Sequence, residues 1–138
     1  MIENAPKGTF TFSKSERLNK KKLIKELFSE GSSFFLYPFK VLYLPKQRSE
    51  DLPVHQVLFS VPKKRFKRAV QRNLIKRRLR EAYRLNRLAL QVFETHGESV
   101  LLAFVYVGKE IQPYSSLEPK LKGALERLSD KLHPANKP

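Results

Sequence analysis

A chain of 138 residues is long enough for one domain of ordinary size and short for two. It is 41% apolar and 30% charged, which suits a soluble domain with a modest core, and 28 Lys and Arg against 13 Asp and Glu leave a formal charge of +15. That charge favours polyanionic partners, and the absence of cysteine excludes disulfides, thiolate nucleophiles and cysteine-bound metals.

Residues 1–11 hold Pro6 and Gly8 with little periodicity, and are expected to form a mobile arm without the apolar stretch of a secretory signal. Over residues 15–29, Leu18, Leu23, Ile24, Leu27 and Phe28 recur at helical spacing, and Gly31 stops the helix. Residues 37–44 alternate as a strand, with Phe39, Val41 and Tyr43 on one face and Lys40, Leu42 and Leu44 on the other. A polar turn region follows, then a second strand over 54–61 that ends at Pro62. Residues 69–93 read as a long helix free of Gly and Pro. Val100 to Val107, apolar on both faces, reads as a central strand and is far too short to cross a membrane. Leu117, Leu121, Ala124, Leu125, Leu128 and Leu132 make the apolar stripe of a closing helix, and residues 133–138 are expected to fray. The reading is a single domain over 1–138, placed in the cytoplasm.

The charge is local. Lys63 to Arg87 holds twelve basic residues and one acid, Glu81, which is +11 of the total +15. Phased at about 100° per residue, Ile75, Ala82, Leu85, Ala89 and Phe93 collect on one arc of the long helix. Arg72, Asn73, Lys76, Arg77, Arg80, Arg84 and Arg87 collect opposite, while Arg78 falls among the apolar residues and is expected to snorkel outward. A solvated helix face normally mixes signs, because like charges one turn apart repel. An external anion is the simplest compensation. A membrane surface is a poorer partner, because the apolar face is needed against a sheet.

Phe59, Phe93 and Phe104 read as core. Phe10, Phe12, Phe34, Phe35, Phe39 and Tyr43 are open to stacking on unpaired bases. His55, His96 and His133 show no metal-ligand spacing and read as surface or strand residues; Glu50 and Asp51 read as turn chemistry. No phosphate-binding glycine loop, HExxH or GxSxG is present, so no catalytic residue and no protein-bound metal are assigned.

Phe59 to Leu85, FSVPKKRFKRAVQRNLIKRRLREAYRL, strongly resembles the signature of the bacterial ribonuclease P protein subunit. Lys63 and Lys64 match that family's lysine pair, Ala69 its turn-to-helix junction, and Arg72 and Asn73 the first two residues of its Arg-Asn-Arg motif. Ile75, Lys76, Arg77 and Arg80 continue the match. FSKSERL (Phe12 to Leu18) resembles the family's opening, and LFSEGSSFFLYPF (Leu27 to Phe39) its helix end, glycine and first long strand. Leu74 stands where Arg is usual, and Ile24 where many members place Phe.

The resemblance implies an α+β fold: a compact α/β sandwich of a mixed four-stranded sheet and three helices, of ribosomal-protein-like type. It also implies a left-handed β-α-β crossover carrying the basic helix, and a sheet lying between that helix and the other two. The implied function is that of the ribonuclease P protein subunit, assisting endonucleolytic removal of the precursor tRNA 5′ leader. Chemistry and Mg²⁺ would reside mainly on the RNA subunit, with no organic cofactor. The partners implied are ribonuclease P RNA and precursor tRNA, without a membrane or an obligate protein partner. Lys63, Lys64, Arg65, Lys67, Arg68, Arg72, Asn73, Lys76, Arg77, Arg80 and Arg84 would bind the catalytic RNA. Phe12, Arg17, Phe28, Phe39 and Tyr43 would form the leader cleft. Two alternatives stand beside this reading: a ribosomal-type structural RNA binder with no role in cleavage, and a protein nuclease using Glu50, Asp51 and His55; a major-groove DNA helix is disfavoured, because no dimerising heptad sets half-site spacing.

Overall fold

The computed structural model describes residues 14–47, 49, 55–87 and 98–132. A short 3₁₀ turn (Lys14–Glu16) precedes α1 (Lys21–Glu30), then β1 (Ser32–Leu36), β2 (Phe39–Gln47), β3 (Gln56–Ser60), α2 (Ala69–Asn86), β4 (Glu98–Tyr106) and α3 (Tyr114–Leu132). The strands form one mixed sheet in the order β1-β2-β4-β3, antiparallel except where β3 and β4 run parallel. This is the α+β architecture expected. The apolar β4 occupies the interior of the sheet, with Val100 to Phe104 all fully buried between layers on both faces.

Strand alternation sorts the two layers. Phe39 and Val41 join Phe59, Phe104 and Tyr106 on one face, under Ile75, Leu79, Ala82 and Tyr83 of α2 and the predicted leucine stripe of α3. Leu42, Leu101 and Ala103 face the other way, under Leu18, Leu23 and Leu27 of the α1 region. The sheet therefore does not separate the basic helix from the other two: α2 and α3 share a face, and α1 alone covers the opposite one. Side-chain ties reinforce this pairing. Asn86 Nδ2 donates to Glu118 Oε2 at 2.6 Å, linking α2 to α3. Arg78 does not snorkel into solvent; its Nη1 donates to the Gln112 carbonyl at 2.6 Å, ahead of α3.

The structure differs from the sequence pattern at three elements. The first helix begins at Lys21, because Arg17 instead makes a parallel bridge to Val57 and the Leu18 N–H donates to the Val57 carbonyl at 3.0 Å. Strand β1 escapes a pattern search because its two adjacent phenylalanines point to opposite faces: Phe34 is buried and Phe35 exposed. The buried stripe of α2 is rotated toward the cationic flank, taking in Tyr83 and leaving Leu85 exposed. The segment 88–93 of the expected long helix, including Phe93, lies outside the described residues.

Candidate RNA interface

The chain leaves β3 at Ser60 and turns over Pro62, whose carbonyl accepts the backbone N–H groups of Arg65 and Phe66 at 3.2 and 3.3 Å. Phe66 drops into the core, its ring 5.8 Å from that of Tyr106. One buried aromatic thus anchors a turn whose other residues, Lys63, Lys64, Arg65, Lys67 and Arg68, are all exposed.

Arg72 holds that turn to the first turn of α2. Its Nη1 donates to the Phe66 carbonyl at 2.7 Å and the Lys67 carbonyl at 2.8 Å. Arg68 supplies no side-chain cap to α2, so Arg72 is what couples helix and turn. Past it, Asn73, Arg77 and Arg80 are exposed, and Lys76 and Arg84 are half-buried. Arg84 binds both Glu81 oxygens, Nε to Oε2 at 3.1 Å and Nη2 to Oε1. That pairing raises the Arg84 guanidinium pKa and lowers that of the Glu81 carboxyl. Partial burial and then the neighbouring Arg17 cation lower the pKa of Arg80. All eleven expected contacts thus lie on the turn or on α2, exposed or half-buried, and among them Arg72 and Arg84 also hold internal partners.

The expected leader group does not assemble on one face. Phe12 lies outside the described residues. Phe28, on α1, is 49% exposed, whereas Phe39 is fully buried beneath α2 and α3. Tyr43 packs half-buried on that same inner side, its ring 6.0 Å from Phe34. The period of two that places Phe39 and Tyr43 together also turns both from α1, so neither completes a cleft with Phe28. Arg17 is exposed beside β3 and α2.

Sequence reasoning missed three anchors of this surface: the inward turn of Arg72, the Arg78–Gln112 bond, and an ion pair between Arg87 and Glu16, with Nη1 at 2.6 Å from Oε2. The phase of Arg72, next to the buried stripe, was the signal available for the first. His55 is buried rather than at the surface, and its Nδ1 accepts the Val100 N–H at 3.0 Å, which commits it to the sheet. Glu50 and Asp51 lie outside the described residues. Among the described residues no three His, Asp or Glu side chains gather as a metal site, and no helix is long and apolar enough to cross a membrane.

A strand running into a lysine pair, a short turn and a basic helix is the arrangement that the quoted motif implied; the buried Phe66 beneath the turn is seen only in the structure. The family model described as Ribonuclease P matches residues 12–129. The chain belongs to the ribonuclease P protein family. A ribonuclease P protein component from Porphyromonas gingivalis is 40% identical over 124 residues, covering 88% of this chain and 89% of the relative. One from Chlorobaculum tepidum is 38% identical over 108 residues, covering 72% and 70%. The fold matches the ribonuclease P protein of Thermotoga maritima with a TM-score of 0.63 at 23% identity, over 81% of this chain and 96% of that one. The Staphylococcus aureus protein matches with a TM-score of 0.58 at 20% identity, over 82% and 94%. As a ribonuclease P protein the chain is the protein component of an endoribonuclease complex, with a role in tRNA 5′ processing alongside ribonuclease P RNA.

Proposed function

We propose that this ribonuclease P protein docks the catalytic RNA through its basic turn and α2, holds the 5′ leader of precursor tRNA on the α1 side of the sheet, and leaves bond cleavage to the RNA. The observation that carries this reading is the folding of a +11 segment into one exposed turn and one helix face, with the apolar side spent on the core. Guanidinium forks suit phosphate oxygens, and neutralising phosphates releases counterions, so binding weakens steeply with salt. By reducing repulsion between two RNAs, the protein lowers the Mg²⁺ needed for turnover. On this reading Mg²⁺ is held mainly by the RNA subunit. Phe28, exposed on α1, offers sequence-tolerant apolar contact to leader bases. The working compartment on this reading is the cytoplasm.

The test is cleavage of a 5′-labelled precursor tRNA at limiting Mg²⁺ by protein alone, by ribonuclease P RNA alone, and by both. Cleavage at the mature 5′ end only with both supports the cofactor role. Cleavage by protein alone, or no gain over RNA alone from folded protein, overturns it.

A further inference from the structure

The register of the sheet places Phe35, Lys40, Val105 and Ser60 in one row across all four strands, on the face that α1 occupies. In the neighbouring row Leu42, Ala103 and Leu58 pack with the buried leucines of α1, and Ser33 at the edge is exposed. Helix α1 stops short of the Phe35 row. It passes Lys46, which bonds Glu26 at 2.6 Å, and ends level with Tyr43, where a Cβ on Gly31 would lie 3.0 Å from the Tyr43 carbonyl oxygen. From there β1 carries the chain onward, so among the described residues no helix covers the row. Phe35 is accordingly 65% exposed, and Lys40, Val105 and Ser60 are partly so.

This row has a chemistry. At its outer end Lys40 Nζ stands 5.6 Å from the centre of the Phe35 ring, a cation beside an exposed aromatic face. At its other end, on the opposite edge strand, Ser60 is the last residue of β3, and Lys63 and Lys64 follow it within four residues. Three inter-strand steps of about 4.8 Å separate the two ends. A partly exposed row with a stacking ring and a lysine at one end, and an exposed lysine pair following the strand at the other, suits an extended single strand of RNA. An exposed Phe on an edge strand otherwise invites unwanted pairing.

We propose that Phe35, with Lys40 beside it, is a distal stacking subsite for the precursor 5′ leader, reached when the leader crosses the open sheet from the Lys63–Lys64 turn. This deepens the proposed function and rests on its assignment of the leader to the α1 side. The experiment measures the affinity of the reconstituted holoenzyme for precursor tRNA bearing either a single leader nucleotide or a leader long enough to cross the sheet. Phe35→Ala should weaken binding of the long-leader precursor about ten-fold, the loss expected of one stacked base. The loss should vanish with the single-nucleotide leader, and Phe35→Tyr should restore the affinity. Unchanged long-leader affinity in Phe35→Ala, alongside a loss in Phe28→Ala, removes the subsite while keeping the leader on this face. Wild-type affinity that ignores leader length overturns the leader assignment itself, and the subsite with it.

Discussion

Arg72 and Phe66 are joined by a guanidinium-to-carbonyl bond of 2.7 Å, which makes a cation of the family motif an internal brace for the basic turn. The ring of Phe66 is held from below by the core, and its carbonyl from the side by α2. The five exposed cations of residues 63–68 inherit their positions from this one residue.

Arg72→Ala should therefore cost about 1–3 kcal/mol of stability, the worth of hydrogen bonds from a charged donor. It should also raise amide exchange across residues 63–68, and Arg72→Lys should recover only part of both, since an ammonium lacks the planar fork. Urea denaturation with hydrogen exchange checks this. Native exchange rates in the alanine variant would show that Arg72 is not the brace.

Arg77 and Arg80 are exposed and carry no such duty. Replacing either with Ala should leave stability within about 0.5 kcal/mol. Each should reduce the slope of log affinity for ribonuclease P RNA against log salt by about 0.7–0.9, one phosphate contact apiece. Titrations across a potassium chloride series read this directly, and an unchanged slope excludes the residue from the interface.

Glu16 and Arg87 form an ion pair whose side chains are each only 14% exposed, joining the 3₁₀ turn to the residue after α2. Removing one partner takes an opposite charge away from a largely desolvated site. Glu16→Gln and Arg87→Met should each destabilise by about 1–3 kcal/mol, less than a fully buried pair would lose, and the double variant should lose less than the sum. A double-mutant cycle by chemical denaturation measures the coupling.

Tyr106 is fully buried and its hydroxyl donates to the Glu110 carbonyl. Burial raises its pKa above the ordinary tyrosine value, so the folded state holds this proton more tightly than the unfolded chain. Its contribution is complete below the unfolded value of about 10 and is lost as pH rises through the folded one. The burial-raised pKa of Tyr114 adds in the same direction. Thermal midpoints should thus fall in alkali, and Tyr106→Phe should flatten that fall while costing about 1 kcal/mol near neutrality for the lost hydrogen bond. A scan of midpoint against pH for both proteins decides it.

The sequence by itself determined which segments are helix and strand where periodicity is strong, as in α3 and the doubly apolar β4, and it located the basic surface. Both are local properties: a side chain's phase on its own element, and a density of charge along the chain. The pairing of α2 with α3 on one face was decided by tertiary packing. So were the inward turn of Arg72 and the separation of Phe28 from Phe39. A period tells which residues share a side of an element, but not which neighbour covers that side. Phe39 and Phe35 are both aromatic strand residues; packing of α2 and α3 buries the first, and the early end of α1 leaves the second to solvent.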